Sequence, residues 1–87
     1  MKKIIGILRP FDIEQKYFIY DNGNKIDSFS VSIENDMIDV ILGYVDKYEI
    51  TQIDLTGPKQ FVKGIVKEIK KAEVKKYRKE NLEINII

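Results

Sequence analysis

The sequence of 87 residues predicts one α/β domain with a single mixed five-stranded sheet and two helices on one face. Short β-branched and aromatic runs alternate with two helical patterns in the order βββαβαβ. An Asn-Gly pair between the second and third runs predicts a tight hairpin. A hairpin followed by βαβαβ predicts strand order 3-2-1-4-5 with strand 2 antiparallel, and right-handed crossovers in the same direction then place both helices on one side.

The first half of the chain predicts three strands. Residues 4–8 form a buried β-branched run, which ends before Pro10 because proline cannot donate to a sheet ladder. Residues 16–20 and 25–31 predict the hairpin strands on either side of the Asn-Gly pair at 22–23. The second of the three strands is apolar or aromatic on both faces.

The second half predicts two helices and two strands. Ser32 is expected to cap the first helix, which should end near residues 47–48. Residues 50–55 read as the fourth strand, and their alternation is typical of a sheet covered on one side. The second helix is predicted over 58–74 with proline at its first position, and the last strand over 82–87.

Composition excludes several kinds of chemistry. The chain has no cysteine and no histidine, so it lacks thiol catalysis, the commonest general base and the commonest transition-metal ligands. We therefore expect no cofactor and no metal site. No run approaches the roughly 20 apolar residues of a membrane span, so we expect no membrane contact and a cytoplasmic location.

The face of the sheet opposite the helices is expected to lie open in so short a chain. An apolar open face predicts a contact surface, used for homo-oligomerisation or for a protein partner. The alternative is a half-covered sheet on which tyrosine hydroxyls reach water. The predicted interface residues are the aromatic run of the second strand: Tyr17, Phe18, Ile19 and Tyr20.

Charge is unevenly distributed, with net −4 over residues 1–58 and net +5 over residues 59–87. Lysines on one arc of the second helix can neutralise phosphates, which makes nucleic acid a candidate partner. The helix carries no arginine and no aromatic among these lysines, so base readout is not indicated, and a solvated face is the alternative. The predicted contact residues are Lys59, Lys63, Lys67, Lys70, Lys71 and, beyond the helix, Arg78.

The turn after the fourth strand is a third candidate site. Ligands in α/β proteins bind at the carboxyl ends of strands, and a helix N-terminus attracts anions. The candidate ligand residues are Asp54, Thr56, Gly57 and Lys59, although a plain tight turn explains the same pattern. A Mg²⁺ site built from Asp12, Glu14 and Asp54 is a weaker alternative, because loop acids are usually solvated.

The run Ile-Ile-Gly-Ile at 4–7, with the aromatic strand, Asn-Gly hairpin and polar third strand that follow, resembles the start of a ribonuclease H-like domain. This superfamily includes RuvC-type junction resolvases and actin-like ATPases. The segment Ile-Asp-Leu-Thr-Gly-Pro at 53–58 resembles its fourth strand and loop. Nuclease members carry an essential aspartate where this chain has Leu8, and the helix that supplies a third acidic group is missing. The resemblance therefore implies a truncated, catalytically degenerate relative.

The function expected from the sequence is a non-enzymatic binding or assembly module of unknown partner, for example an accessory protein of a mobile element. The alternative is a nucleic-acid-binding protein that uses the lysine-rich face. A residual Mg²⁺-dependent nuclease is the third hypothesis, and it needs several converging carboxylates.

Overall fold

A computed structural model describes residues 1–32, 36–72 and 82–87. The strands pair in the order β3-β2-β1-β4-β5. The β1/β2 and β2/β3 pairs are antiparallel, and the β1/β4 and β4/β5 pairs are parallel, so the predicted fold class is confirmed. The elements are β1 (Lys2–Ile7), β2 (Glu14–Asp21), β3 (Asn24–Ser32), α1 (Met37–Tyr48), β4 (Gln52–Thr56), α2 (Lys59–Ala72) and β5 (Glu83–Ile86).

Two helix starts differ from the prediction. Ser32 does not cap α1, because it is the last residue of β3, and Asp36 occupies the N-cap position without a side-chain hydrogen bond. Pro58 precedes α2 instead of being its first residue, and its carbonyl accepts the first helical hydrogen bond from the Val62 N–H at 3.0 Å. The part of the second helix predicted beyond Ala72 lies outside the described residues.

The Asn-Gly hairpin is confirmed. Asn22 and Gly23 have φ angles of 50° and 85°, the positive values that a type I′ turn requires at both central positions. This turn matches the right-handed twist of the strands, so it holds β2 and β3 side by side.

The hydrophobic core lies on one face of the sheet, beneath both helices. Alternate residues of the strands, such as Ile4 and Ile53, are fully buried in the same cluster as Ile41 of α1 and Val62 of α2. Both helices therefore cover the same face, as predicted. This side of the sheet is called the covered face below.

An aromatic stack ties α1 to the β2–β3 edge of the covered face. The rings of Tyr17, Phe29, Tyr44 and Tyr48 follow one another with centroid separations of 5.0, 3.9 and 6.3 Å. The Tyr48 hydroxyl donates to Asp27, and this hydrogen bond lowers the pKa of the Asp27 carboxyl. Burial raises the pKa of Tyr17, whose hydroxyl contacts the Met37 Sδ at 3.3 Å. No helix within the described ranges is long and apolar enough to span a membrane.

Candidate functional site

The side of the sheet away from the helices is called the open face. Its residues in β1 alternate with the buried Ile4 and Gly6, because successive side chains of a strand point to opposite faces. No helix or strand among residues 1–32, 36–72 and 82–87 covers this side. On this face, Lys3, Ile5 and Ile7 of β1 pair in that order with Tyr20, Phe18 and Lys16 of β2. On the other side of β1, the same three residues pair with Gln52, Asp54 and Thr56 of β4.

The β1–β2 half of the open face has an apolar centre flanked by Lys3 and Lys16. Ile5, Ile7, Phe18 and Tyr20 form what is called the apolar patch, and Ile5 pairs directly with Phe18 across the two strands. Ile7 is 42% exposed, and the other three side chains are half-buried by their neighbours within the sheet. Cross-strand aromatic and β-branched pairs stabilise the sheet, yet their outer surface still meets water.

Half of the predicted interface is wrong. Tyr17 and Ile19 are fully buried beneath the helices, so they belong to the core and not to an exposed surface. The physical reason is the two-residue period of a strand, which sends Tyr17 and Ile19 to one face and Phe18 and Tyr20 to the other. An aromatic run in a strand cannot present all of its side chains to one partner.

The loop between β1 and β2 is held by a buried glutamine. Gln15 is 1% exposed, and its Oε1 accepts from the Arg9 N–H at 2.7 Å. Its Nε2 donates to the carbonyls of Arg9 at 2.6 Å and Asp12 at 2.9 Å. These three bonds fix the loop at the end of the open face, where Phe11 is 98% exposed and Ile13 is 65% exposed.

A cleft of about 190 Å³ lies where this loop meets the open face. Ile7 and Phe18 of the apolar patch contribute apolar surface to it. The surrounding charges are of both signs, two basic and two acidic. This corner cleft is lined by Ile7, Arg9, Asp12, Glu14, Lys16 and Phe18.

The β4–β5 half of the open face is polar and centred on Asp54, which is only 6% exposed. Its Oδ1 accepts from Gln52 Nε2 at 2.8 Å and Asn85 Nδ2 at 3.0 Å, and Lys3 Nζ lies 3.6 Å from Oδ2. Burial alone raises the pKa of a carboxyl, but here these donors and the lysine outweigh it and lower the pKa of Asp54. Asp54 is therefore a bound, charged group that links β1, β4 and β5.

The turn predicted as a ligand loop has a structural reason for its sequence. Gly57 has a φ of 151°, and a Cβ at this position would lie 2.5 Å from the Leu8 carbonyl oxygen. Thr56 ends β4 and accepts from the Leu8 N–H at 2.8 Å, and Lys59 begins α2 with an exposed side chain. The glycine thus permits the close approach of the turn to the end of β1.

The acids considered for Mg²⁺ do not converge. Asp12 and Glu14 line the corner cleft, whereas Asp54 is occupied by Lys3 and two amides. Within the described part of the chain, no group of three or more acidic side chains is placed to hold a metal ion.

The lysines of α2 occupy the side of the helix away from the sheet. Its inward residues Val62, Val66 and Ile69 are buried, so the helix has one buried face and one lysine-rich face. Arg78 lies outside the described residues. The lysine arc consists of Lys59, Lys63, Lys67, Lys70 and Lys71, all with exposed side chains.

Sequence reasoning missed Gln15, Phe11 and Ile13. Gln15, Tyr17 and Ile19 are two residues apart along the strand, so strand alternation places the Gln15 side chain on the same face as the other two. A buried amide must find hydrogen-bond partners, and the neighbouring loop was the nearest source. The exposure of Phe11 had no such signal, because the contacts of a loop residue depend on how the loop folds.

Neither a protein-family model nor a curated protein sequence matches the chain. A similar solved structure is the crystal structure of a protein with actin-like ATPase fold and unknown function from Bacteroides thetaiotaomicron VPI-5482. The match has a TM-score of 0.70 and 18% sequence identity, and it covers 99% of this chain and 32% of that chain. At this identity the likeness shows the fold alone. The fold implied by the resemblance to the ribonuclease H-like superfamily, which shares this fold, is thereby confirmed.

Proposed function

We propose that the chain is a non-enzymatic binding or assembly module that contacts a protein through the open face. The observation that carries this proposal is the apolar patch of Ile5, Ile7, Phe18 and Tyr20, which no described element covers. Burial of apolar surface is the main driving force of protein association, and a contiguous patch with a polar rim is typical of an interface. The polar half around Asp54 supplies such a rim on the β4 side.

The absence of enzymatic activity is part of the proposal. Leu8, which stands where nuclease relatives carry an aspartate, is buried against the core. Asp54, the remaining acid near the comparable strand, is engaged by Gln52, Asn85 and Lys3. Both observations support a relative of the ribonuclease H-like superfamily that has lost its carboxylate chemistry and kept the sheet as a binding scaffold.

Position-specific photocrosslinking in cells tests this function. The photoreactive amino acid p-benzoylphenylalanine would replace Phe18 on the open face and, as the control, Lys67 on the opposite side of the molecule. We expect a discrete crosslinked product from position 18 and none from position 67. Mass spectrometry of the product then identifies its second chain. Equal crosslinking from both positions, or none from position 18, would contradict the proposal.

A second candidate function is nucleic-acid binding through the lysine arc. Its supporting observation is that none of the five lysines forms an ion pair within 4 Å with a carboxylate of the described residues. Unpaired ammonium groups are available to phosphates, and each phosphate contact releases a counterion.

Salt-dependent binding of labelled DNA and RNA tests the second candidate. Replacing Lys63, Lys67, Lys70 and Lys71 with glutamine should abolish the binding and flatten its dependence on salt. Glutamine at the exposed Lys16 and Lys25, on the other side of the sheet, is the control. If the variant with all four substitutions still binds DNA or RNA, the lysine arc is not the binding site.

A further inference from the structure

We infer that the occupant of the open face is a second copy of this chain, with Phe11 of each copy seated in the corner cleft of the other. The inference rests on the proposed function, because the cleft shares Ile7 and Phe18 with the apolar patch. It adds the identity of the partner and the residue that anchors it.

Phe11 has the properties of an interface anchor. It is 98% exposed, so its ring makes almost no contact within its own copy. The loop that carries it is tied to the buried Gln15 by three hydrogen bonds. An aromatic side chain on a pre-organised loop loses little conformational entropy on binding, and buried aromatics dominate interface energies.

The corner cleft accommodates one aromatic ring. Its volume is about 190 Å³. An apolar cavity of about 150 Å³ is large enough to hold benzene. Ile7 and Phe18 supply apolar surface for ring contact, since edge-to-face and offset aromatic pairs add to the gain from burial.

A two-fold axis brings Phe11 of one copy to the corner cleft of the other. Phe11 directly precedes Asp12, which lines the cleft of its own copy. An axis that passes between Phe11 and that cleft places each Phe11 beside the cleft of the other copy, so the contact closes as a dimer.

The charges around the cleft suit an identical partner. Arg9 and Lys16 are basic, and Asp12 and Glu14 are acidic, so the rim has no net charge. In a symmetric contact each basic group of one copy can meet an acidic group of the other. A strongly charged partner, such as nucleic acid, would gain nothing from such a rim.

Sedimentation equilibrium of the purified chain tests the inference. The wild type should dimerise at concentrations below about 1 mM. Phe11→Lys should raise the dimer dissociation constant at least about 30-fold, as expected for an interface anchor. The control is Val40→Lys, which places the same charge on an exposed apolar position of α1 and should change the constant less than about threefold. Circular dichroism checks that both variants remain folded.

The oligomeric state of the wild type and the effect of each variant test the dimer and the role of Phe11 separately. A monomeric wild type would overturn the second copy as occupant, while a crosslink from position 18 to a different protein would leave the proposed function standing. A dimer that is unaffected by Phe11→Lys would overturn the anchoring role of the loop. If Phe18→Lys nevertheless disrupts that dimer, assembly through the open face is still supported.

Discussion

The two faces of the sheet are made by the same strands, yet their side chains meet different surroundings. Ile4 and Ile5 are neighbours in β1, and Ile4 is fully buried beneath the helices whereas Ile5 lies half-buried on the open face. The same holds for Tyr17 and Phe18 in β2. An apolar strand can therefore bury one of its faces in the core and leave the other partly exposed.

The open face itself divides into two halves. The β1–β2 half is apolar at its centre and incompletely buried, whereas the β4–β5 half has a buried charge that is held by Gln52, Asn85 and Lys3. The buried charge of the polar half is therefore satisfied within the chain, whereas apolar side chains of the other half remain partly exposed. This difference supports placing the contact surface on β1 and β2.

The largest expected effect comes from separating the two faces in one strand. Ile4→Ala should lower the free energy of unfolding by about 2–5 kcal/mol, because it leaves a cavity in the core. Ile5→Ala should cost less than about 1.5 kcal/mol in the monomer, because Ile5 is only half-buried. Urea unfolding followed by circular dichroism measures both. Equal losses would show that the open face packs as tightly as the covered face.

Close packing of the covered face is tested by Gly6→Ala. The added Cβ would lie 2.7 Å from Leu55 Cδ2 and from Tyr17 Cε1, so the core must shift at a cost of about 1–3 kcal/mol. Gly43→Ala is the matched control, because a Cβ there meets nothing within 4 Å and alanine favours a helix by about 1 kcal/mol. The two variants should move the urea midpoint in opposite directions. If both variants moved the urea midpoint in the same direction, Gly6 would not be as closely packed as its contacts indicate.

The polar half of the open face is tested by Asp54→Asn, which should cost about 1–2 kcal/mol at neutral pH. The pKa of Asp54 is lowered from about 3.8, so its charge stabilises the fold above that pH. This contribution is lost as the pH falls through the lower folded-state pKa. The difference between wild type and variant should therefore shrink below pH 3.8.

Thermal unfolding at a series of pH values measures this difference. Glu68→Gln is the control, because that side chain is exposed on α2, away from Asp54 and its partners. If the effect of Asp54→Asn were independent of pH down to strong acid, the stabilisation would not come from the carboxylate charge.

The smallest effect is expected on the lysine arc. Lys67→Gln should change stability by less than about 0.5 kcal/mol, because Lys67 is exposed and unpaired among the described residues. Lys3→Gln, which loses the ion pair with Asp54, should cost up to about 1 kcal/mol. Chemical denaturation compares the two. A larger loss for Lys67→Gln would mean that the arc contributes to the fold as well as to the surface charge.

Local patterns were sufficient for the order of elements, because each depends on residues close in the chain. The Asn-Gly pair predicts its own turn through the φ angles that its two residues tolerate. The helical spacing of Val62, Val66 and Ile69 predicts which side of α2 is buried. The handedness of the crossovers then predicts that both helices lie on one side of the sheet, without reference to any particular contact.

The tertiary structure decided everything that depends on residues far apart in the sequence. Only the folded sheet brings Lys3 and Asn85 to Asp54, and only the packing of the turn against Leu8 explains Gly57. Only the covering helices distinguish Tyr17 from Phe18, because both are aromatic neighbours with equal strand propensity. Periodicity assigns residues to one face or the other, but the long-range contacts determine which face is buried and which stays partly exposed.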